Sequence, residues 1–232
     1  MKVTRILSLA LMALVVPAAV SAQVTFTNND GTFTANGNTT GSSLTLTSSV
    51  LTGITGLSGF GIPDSAVVFP GCEPSCLGTI SLSTGALSSG TMLAGGTFAA
   101  NSGTFSVSYT SGVSFSGTFA TSSWTNTGVN YQFTGTILNG TLTINGTMYT
   151  ISQAATVQFT TTGSAPVITK TGTKITKITF KDNQGTTNFM APVPEPGTLS
   201  LFGSGLICLG LLTRKRLRSG AGTGIRRKLV SF

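Results

Sequence analysis

Apolar side chains recur at every second position through most of the chain. Phe105, Val107 and Tyr109 alternate with serines, Val113, Phe115 and Phe119 with Ser and Thr, and Val129, Tyr131 and Phe133 with Asn and Gln. Successive side chains of an extended chain point to opposite faces, so this period of two predicts strands with one face in a core and the other in water. Leu44 with Leu46, Ile80 with Leu82, Leu142 with Ile144 and Val157 with Phe159 repeat the pattern between clusters of Gly, Asn and Ser. A Gly-Thr-apolar triplet starts at Gly31, Gly78, Gly90, Gly96, Gly103, Gly117, Gly135, Gly140 and Gly146. It predicts glycine leaving a turn, threonine in solvent and the third residue in the core. The triplet spacing is irregular, whereas a solenoid would hold a fixed period. The predicted fold class is therefore all-β, an antiparallel meander forming a sandwich or barrel, with Asn139-Gly140 and Asn145-Gly146 as hairpin turns. Helices are expected only at the ends, as an N-terminal signal helix and a C-terminal hydrophobic helix.

The alternation stops at both ends, where apolar residues run without interruption. Lys2 and Arg5 precede a run from Ile6 to Val20, and the small residues Ser21 and Ala22 follow. This order predicts a signal peptide over residues 1–22, cut between Ala22 and Gln23, and so export through the Sec machinery with signal peptidase as a partner. The alternative is an uncleaved anchor, against which stand the shortness of the run and Pro17 within it. At the other end stand Pro192-Val193-Pro194-Glu195-Pro196-Gly197, an uncharged stretch from Thr198 to Leu212, and Arg214-Lys215-Arg216-Leu217-Arg218. Alternate prolines hold an extended segment that displays Glu195. The apolar stretch predicts a transmembrane helix over 198–213, about 22 Å long across its uncharged part, with Arg214, Lys215, Arg216 and Arg218 fixing its end on the cytoplasmic side. Residues 219–232 form a basic extension beyond it.

In these elements, over residues 191–218, the tail resembles the PEP-CTERM sorting domain of exosortase substrates. The resemblance implies recognition of Pro194, Glu195 and Pro196 by a membrane-embedded exosortase-like transpeptidase and removal of the hydrophobic tail. It also implies an inner-membrane-anchored intermediate, then delivery to the cell surface, outer envelope or extracellular matrix. The alternative is a permanent single-pass anchor in which the proline segment is a spacer.

Between the two addresses lies a body of residues 23–190, enough chain for one domain with its own core. Only 8% of the 232 residues are charged, while 40% are hydrophobic and fourteen are Phe, so the expected body is folded, with a neutral, hydroxyl-rich surface. The net charge of +8 suggests a nucleic-acid partner only until the charges are located. Nine of the thirteen cations lie in the leader or the tail, and Lys170, Lys174, Lys177 and Lys181 balance Asp30, Asp64, Glu73 and Asp182. No nucleic-acid partner is expected.

The body offers little chemistry. It has no His, which removes the usual triads and imidazole metal sites, and neither metal nor cofactor is expected. Cys72 and Cys76 enclose three residues, and export makes a local disulfide the expectation; Cys208 reads as an apolar filler in the tail helix. Asp64 and Glu73 are the one nearby acidic pair a glycosidase could use, but their loop placement favours a structural role as solvated carboxylates. Asn28-Asn29-Asp30-Gly31 is thin provision for calcium and suits an Asx turn. Trp124 with Tyr109, Tyr131 and Tyr149 reads either as a sugar-stacking platform or as core. The four lysines read as a solvated strand end or as a patch for an acidic exopolysaccharide. The expected function is non-catalytic: a surface or matrix protein, structural or adhesive, linked to exopolysaccharide or biofilm. A carbohydrate-binding module is the alternative, followed by a carboxylate-dependent glycosidase.

Overall fold

A computed structural model describes residues 21–68, 72, 76–128, 130–162, 165–181 and 183–192. The signal segment before Ser21, the sorting residues Pro194, Glu195 and Pro196, the helix 198–213, the basic cluster, the extension 219–232, Glu73 and Asp182 lie outside them. The strands are β1 (Ser21–Asn29), β2 (Thr32–Ala35), β3 (Leu44–Thr55), β4 (Ser65–Ala66), β5 (Gly78–Thr84), β6 (Leu87–Thr91), β7 (Gly95–Phe98), β8 (Gly103–Tyr109) and β9 (Val113–Asn126). They continue with β10 (Tyr131–Ile137), β11 (Gly140–Ile144), β12 (Thr147–Ile151), β13 (Ala155–Thr161), β14 (Val167–Thr171), β15 (Lys174–Phe180) and β16 (Asn183–Pro192). Among the described residues the only helical segment is a 3₁₀ turn at Ser58–Phe60.

Every pairing is antiparallel, and eight strands close on themselves in the order β1-β16-β13-β10-β9-β8-β5-β3. Closure comes from β1, which pairs with β16 on one side and with β3 on the other, Phe26 lying opposite both Thr187 and Ile54. Of the two architectures left open by the sequence, the barrel is the one formed. Eight strands leave an interior just wide enough for side chains to fill. Here it is filled by Phe26, Phe33, Phe105, Phe115, Phe119, Phe133 and Phe159, each at most 1% exposed. Their rings meet edge-on, tilted or stacked, as in Phe33 with Phe159 (5.6 Å), Phe26 with Phe115 (6.4 Å) and Phe115 with the neighbouring Phe189 (4.4 Å). Outward positions carry hydroxyls, such as Ser81 and Ser106, bonded across the strands at 2.8 Å.

In eight of the nine Gly-Thr-apolar triplets within the described residues the third residue is buried; Met148, on the hairpin β11–β12, is 71% exposed. Not every triplet glycine leaves a turn. Gly135 lies mid-strand in β10, and a Cβ there would stand 2.5 Å from Phe119 Cε1, so its absence makes room for a ring. Asn145-Gly146 is the expected two-residue hairpin, with φ of 49° and 82° and Ile144 opposite Thr147. Asn139-Gly140 is not a hairpin. β10 and β11 both run antiparallel to β9, on the same side of it, so Leu138 and Asn139 form a bulge inside one continuing strand.

The barrel has two unlike ends. Ser21, Pro192, the described residues between Gly56 and Leu77 and the β8–β9 and β11–β12 turns lie at one, here the terminal end. Strand direction places the segment from Asn36 to Ser43, the β6–β7 hairpin and the β14–β15 hairpin at the other. β1 passes into β2 through Asp30 (φ 59°) and Gly31 (φ 105°), where a Cβ on Gly31 would meet Ser49 Cβ at 2.8 Å. This kink carries β2 onto β15, with Phe33 opposite Phe180, while β14 and the tip of β15 project further as an arm.

Candidate functional site

The arm has no barrel strand on its far side. All five residues of β14 are exposed, whereas the base of β15 is anchored by buried Ile178 and Phe180. Lys174 follows the Gly172-Thr173 turn at the tip, Lys170 lies opposite Ile175, Lys177 lies opposite Thr169, and Lys181 follows the end of β15 at the base. All four lysines of the body thus lie on one hairpin. None forms an ion pair among the described residues.

Beneath the tip runs an open groove of about 570 Å³ lined by residues 36–42 and by Thr173, Lys174 and Ile175. Its floor is braced from behind. Asn36 Oδ1 accepts from Ser43 N at 2.7 Å, Asn38 Oδ1 from Leu93 N at 3.0 Å, and Gly41 N donates to Leu87 O at 2.9 Å. With these oxygens engaged, the Asn36 and Asn38 amides and the hydroxyls of Thr39, Thr40 and Thr173 offer donors beside the Lys174 ammonium. The groove can hold a hydroxylated or anionic ligand by hydrogen bonds and charge. A smaller recess of about 260 Å³ on the outer wall, at Thr97, Ser123, Thr134 and Thr136, has hydroxyls but no charged residue.

The other candidates resolve differently. Trp124 is 1% exposed, donates from Nε1 to Met92 O at 2.9 Å and stacks on Tyr131 at 5.5 Å. Tyr109 is buried at the opposite end from Tyr131, and Tyr149 packs on Phe60. Trp124, Tyr109 and Tyr131 are core residues and Tyr149 is half-buried on another element, so the four form no common sugar-stacking platform. Burial holds the Tyr131 hydroxyl above the ordinary tyrosine pKa, while hydrogen bonding from Ser65, and then Ser111, brings that of Tyr109 below it. Asp64 Oδ1 accepts from Gly56 N at 2.9 Å. Asn28 points inward and donates to Ser49 Oγ at 2.7 Å, whereas Asn29 Oδ1 accepts from Asp30 N, so the two do not converge on one cation. Cys72 and Cys76 are joined in a disulfide at the terminal end.

Sequence reasoning found the lysines but not the groove. Asn36-Gly37-Asn38 and Thr171-Gly172-Thr173 read locally as turns, and only the pairing of β2 with β15 brings them together.

The described chain is a hydroxyl-coated barrel whose last strand leads straight into the proline-rich tail. Residues 192–216 match the family model of the PEP-CTERM protein-sorting motif, which marks an exported protein of the exosortase-processed kind. No curated protein and no solved structure matches the chain.

Proposed function

We propose that the barrel is a non-catalytic structural or adhesive component of the cell surface or extracellular matrix, associated with extracellular polymer. The observation that carries this reading is the junction at Pro192: the sorting motif begins at the last residue of β16, so the barrel is the part of the chain that tail removal would release. The tail would hold the Sec-exported precursor in the inner membrane until the exosortase-like enzyme acts. The engagement of the Asp64 carboxylate by a backbone N–H supports a structural role for that residue. The polar groove favours a second reading, a carbohydrate-binding module that uses hydrogen bonds in place of aromatic stacking.

Replacing Pro194, Glu195 and Pro196 by alanines tests the sorting step. The barrel should fold and be exported, because its core is complete between Val24 and Ala191. Mass spectrometry should find the Thr198–Leu212 peptide retained in the membrane fraction of the variant and absent from wild-type surface protein. Wild-type surface protein that still carries the peptide would make the tail a simple anchor.

A further inference from the structure

We propose that the β14–β15 arm and the groove beneath it form a binding site for an acidic polysaccharide, one bearing carboxylate or sulfate groups. From Lys174 at the tip to Lys181 at the base is about 23 Å at the rise of a strand, and Lys170 lies on the other hairpin face from Lys174, so the charges are spread along the element in a way that suits a chain rather than a single ion. The nearest described carboxylate, Asp30, lies in the β1–β2 kink, toward the base. Lys170, Lys174 and Lys177 are left uncompensated along the outer part. The groove adds what charge alone lacks. Fixed amide and hydroxyl donors beside Lys174 can bond sugar hydroxyls while the ammonium meets an acidic group, and charge-assisted bonds of this kind are the stronger ones.

Two other polyanions fit less well. Base recognition on a single-stranded nucleic acid relies on aromatic platforms, and Trp124 and Tyr131 are packed in the core. A flat anionic membrane would meet the charges of the arm but leave unused the amide and hydroxyl donors of the groove beneath its tip.

Such binding would be the polymer contact required by the surface role proposed above. It is read on purified exported protein, so its failure would leave the sorting assay untouched, and failed sorting would leave this assay untouched. The probes are alginate and polygalacturonate, heparin as a sulfated chain, neutral dextran, single-stranded DNA and phosphatidylglycerol vesicles. The acidic glycans should bind saturably and more weakly as salt rises, and dextran should not. Replacing all four lysines by Gln should weaken binding at least tenfold, and replacing them by Arg should retain it. Thr40→Phe, which fills the groove at constant charge, should weaken glycan binding several-fold, with thermal melts confirming that each variant is folded. Undiminished binding by the folded Gln variant would overturn the proposal. So would equal binding of dextran, indifference to Thr40→Phe, or tighter binding of DNA or vesicles than of any acidic glycan.

Discussion

At the scale of single residues, the inward-facing glycines show how tightly the aromatic interior is fitted. Gly135→Ala would place a methyl 2.5 Å from the Phe119 ring, which also packs on Phe133 at 5.3 Å and cannot retreat freely. Overpacking of this kind costs about 1–3 kcal/mol. Urea unfolding should show a lower midpoint with an unchanged slope, and an unchanged midpoint would mean that the ring has room to move. Tyr131 gives a pH-dependent counterpart. Burial raises its pKa, so the folded state favours the neutral phenol; that stability is intact below about pH 10 and is lost as pH rises through the folded value. Tyr109, with a lowered pKa, works in the opposite direction, so the informative comparison is between proteins rather than along one curve. Tyr131→Phe should lose less stability than wild type between about pH 9 and 11, measured by urea midpoints. Parallel profiles would show that Tyr131 ionises without penalty.

At the scale of elements, the Cys72–Cys76 bridge closes a very short loop between β4 and β5. Both thiols should resist alkylation before reduction. Reduction should cost about 2 kcal/mol in unfolding stability by loop entropy, while leaving glycan binding at the far end unchanged. Free thiols in newly exported protein would remove the bridge from the account. The strands themselves were legible because burial on one face writes itself into every second residue, as in Phe105, Val107 and Tyr109. The Asn139-Gly140 bulge was not, since the same dipeptide serves a hairpin or a continuing strand, and only pairing with β9 decides between them. The lysines were visible at spacings that also suit a helical face. Their exposure depends on β14 having no barrel strand beyond it, a property of topology rather than of local sequence. Trp124 was ambiguous for a related reason: alternation gives a face, and closure decides whether that face is core.

At the scale of the whole molecule, the barrel is a polar object without being a charged one. Ser21 and Pro192 lie at one end and its four lysines gather toward the other, on a body whose formal charges sum to zero when those lysines are counted. The closing strand pair joins the first two of these residues more closely than that description suggests. Ser21 lies opposite Pro192 and Ala22 opposite Ala191, whereas β13 pairs with β16 only as far as Asn188. A cut before Gln23 would therefore remove the β1 partners of Ala191 and Pro192. Signal removal there would shorten the β1–β16 ladder by two residue pairs, Ser21 with Pro192 and Ala22 with Ala191. The expected cleavage site and the first residue of the sorting motif, about 170 residues apart in the chain, thus share one strand pair, so that signal removal would change the pairing at the start of the motif.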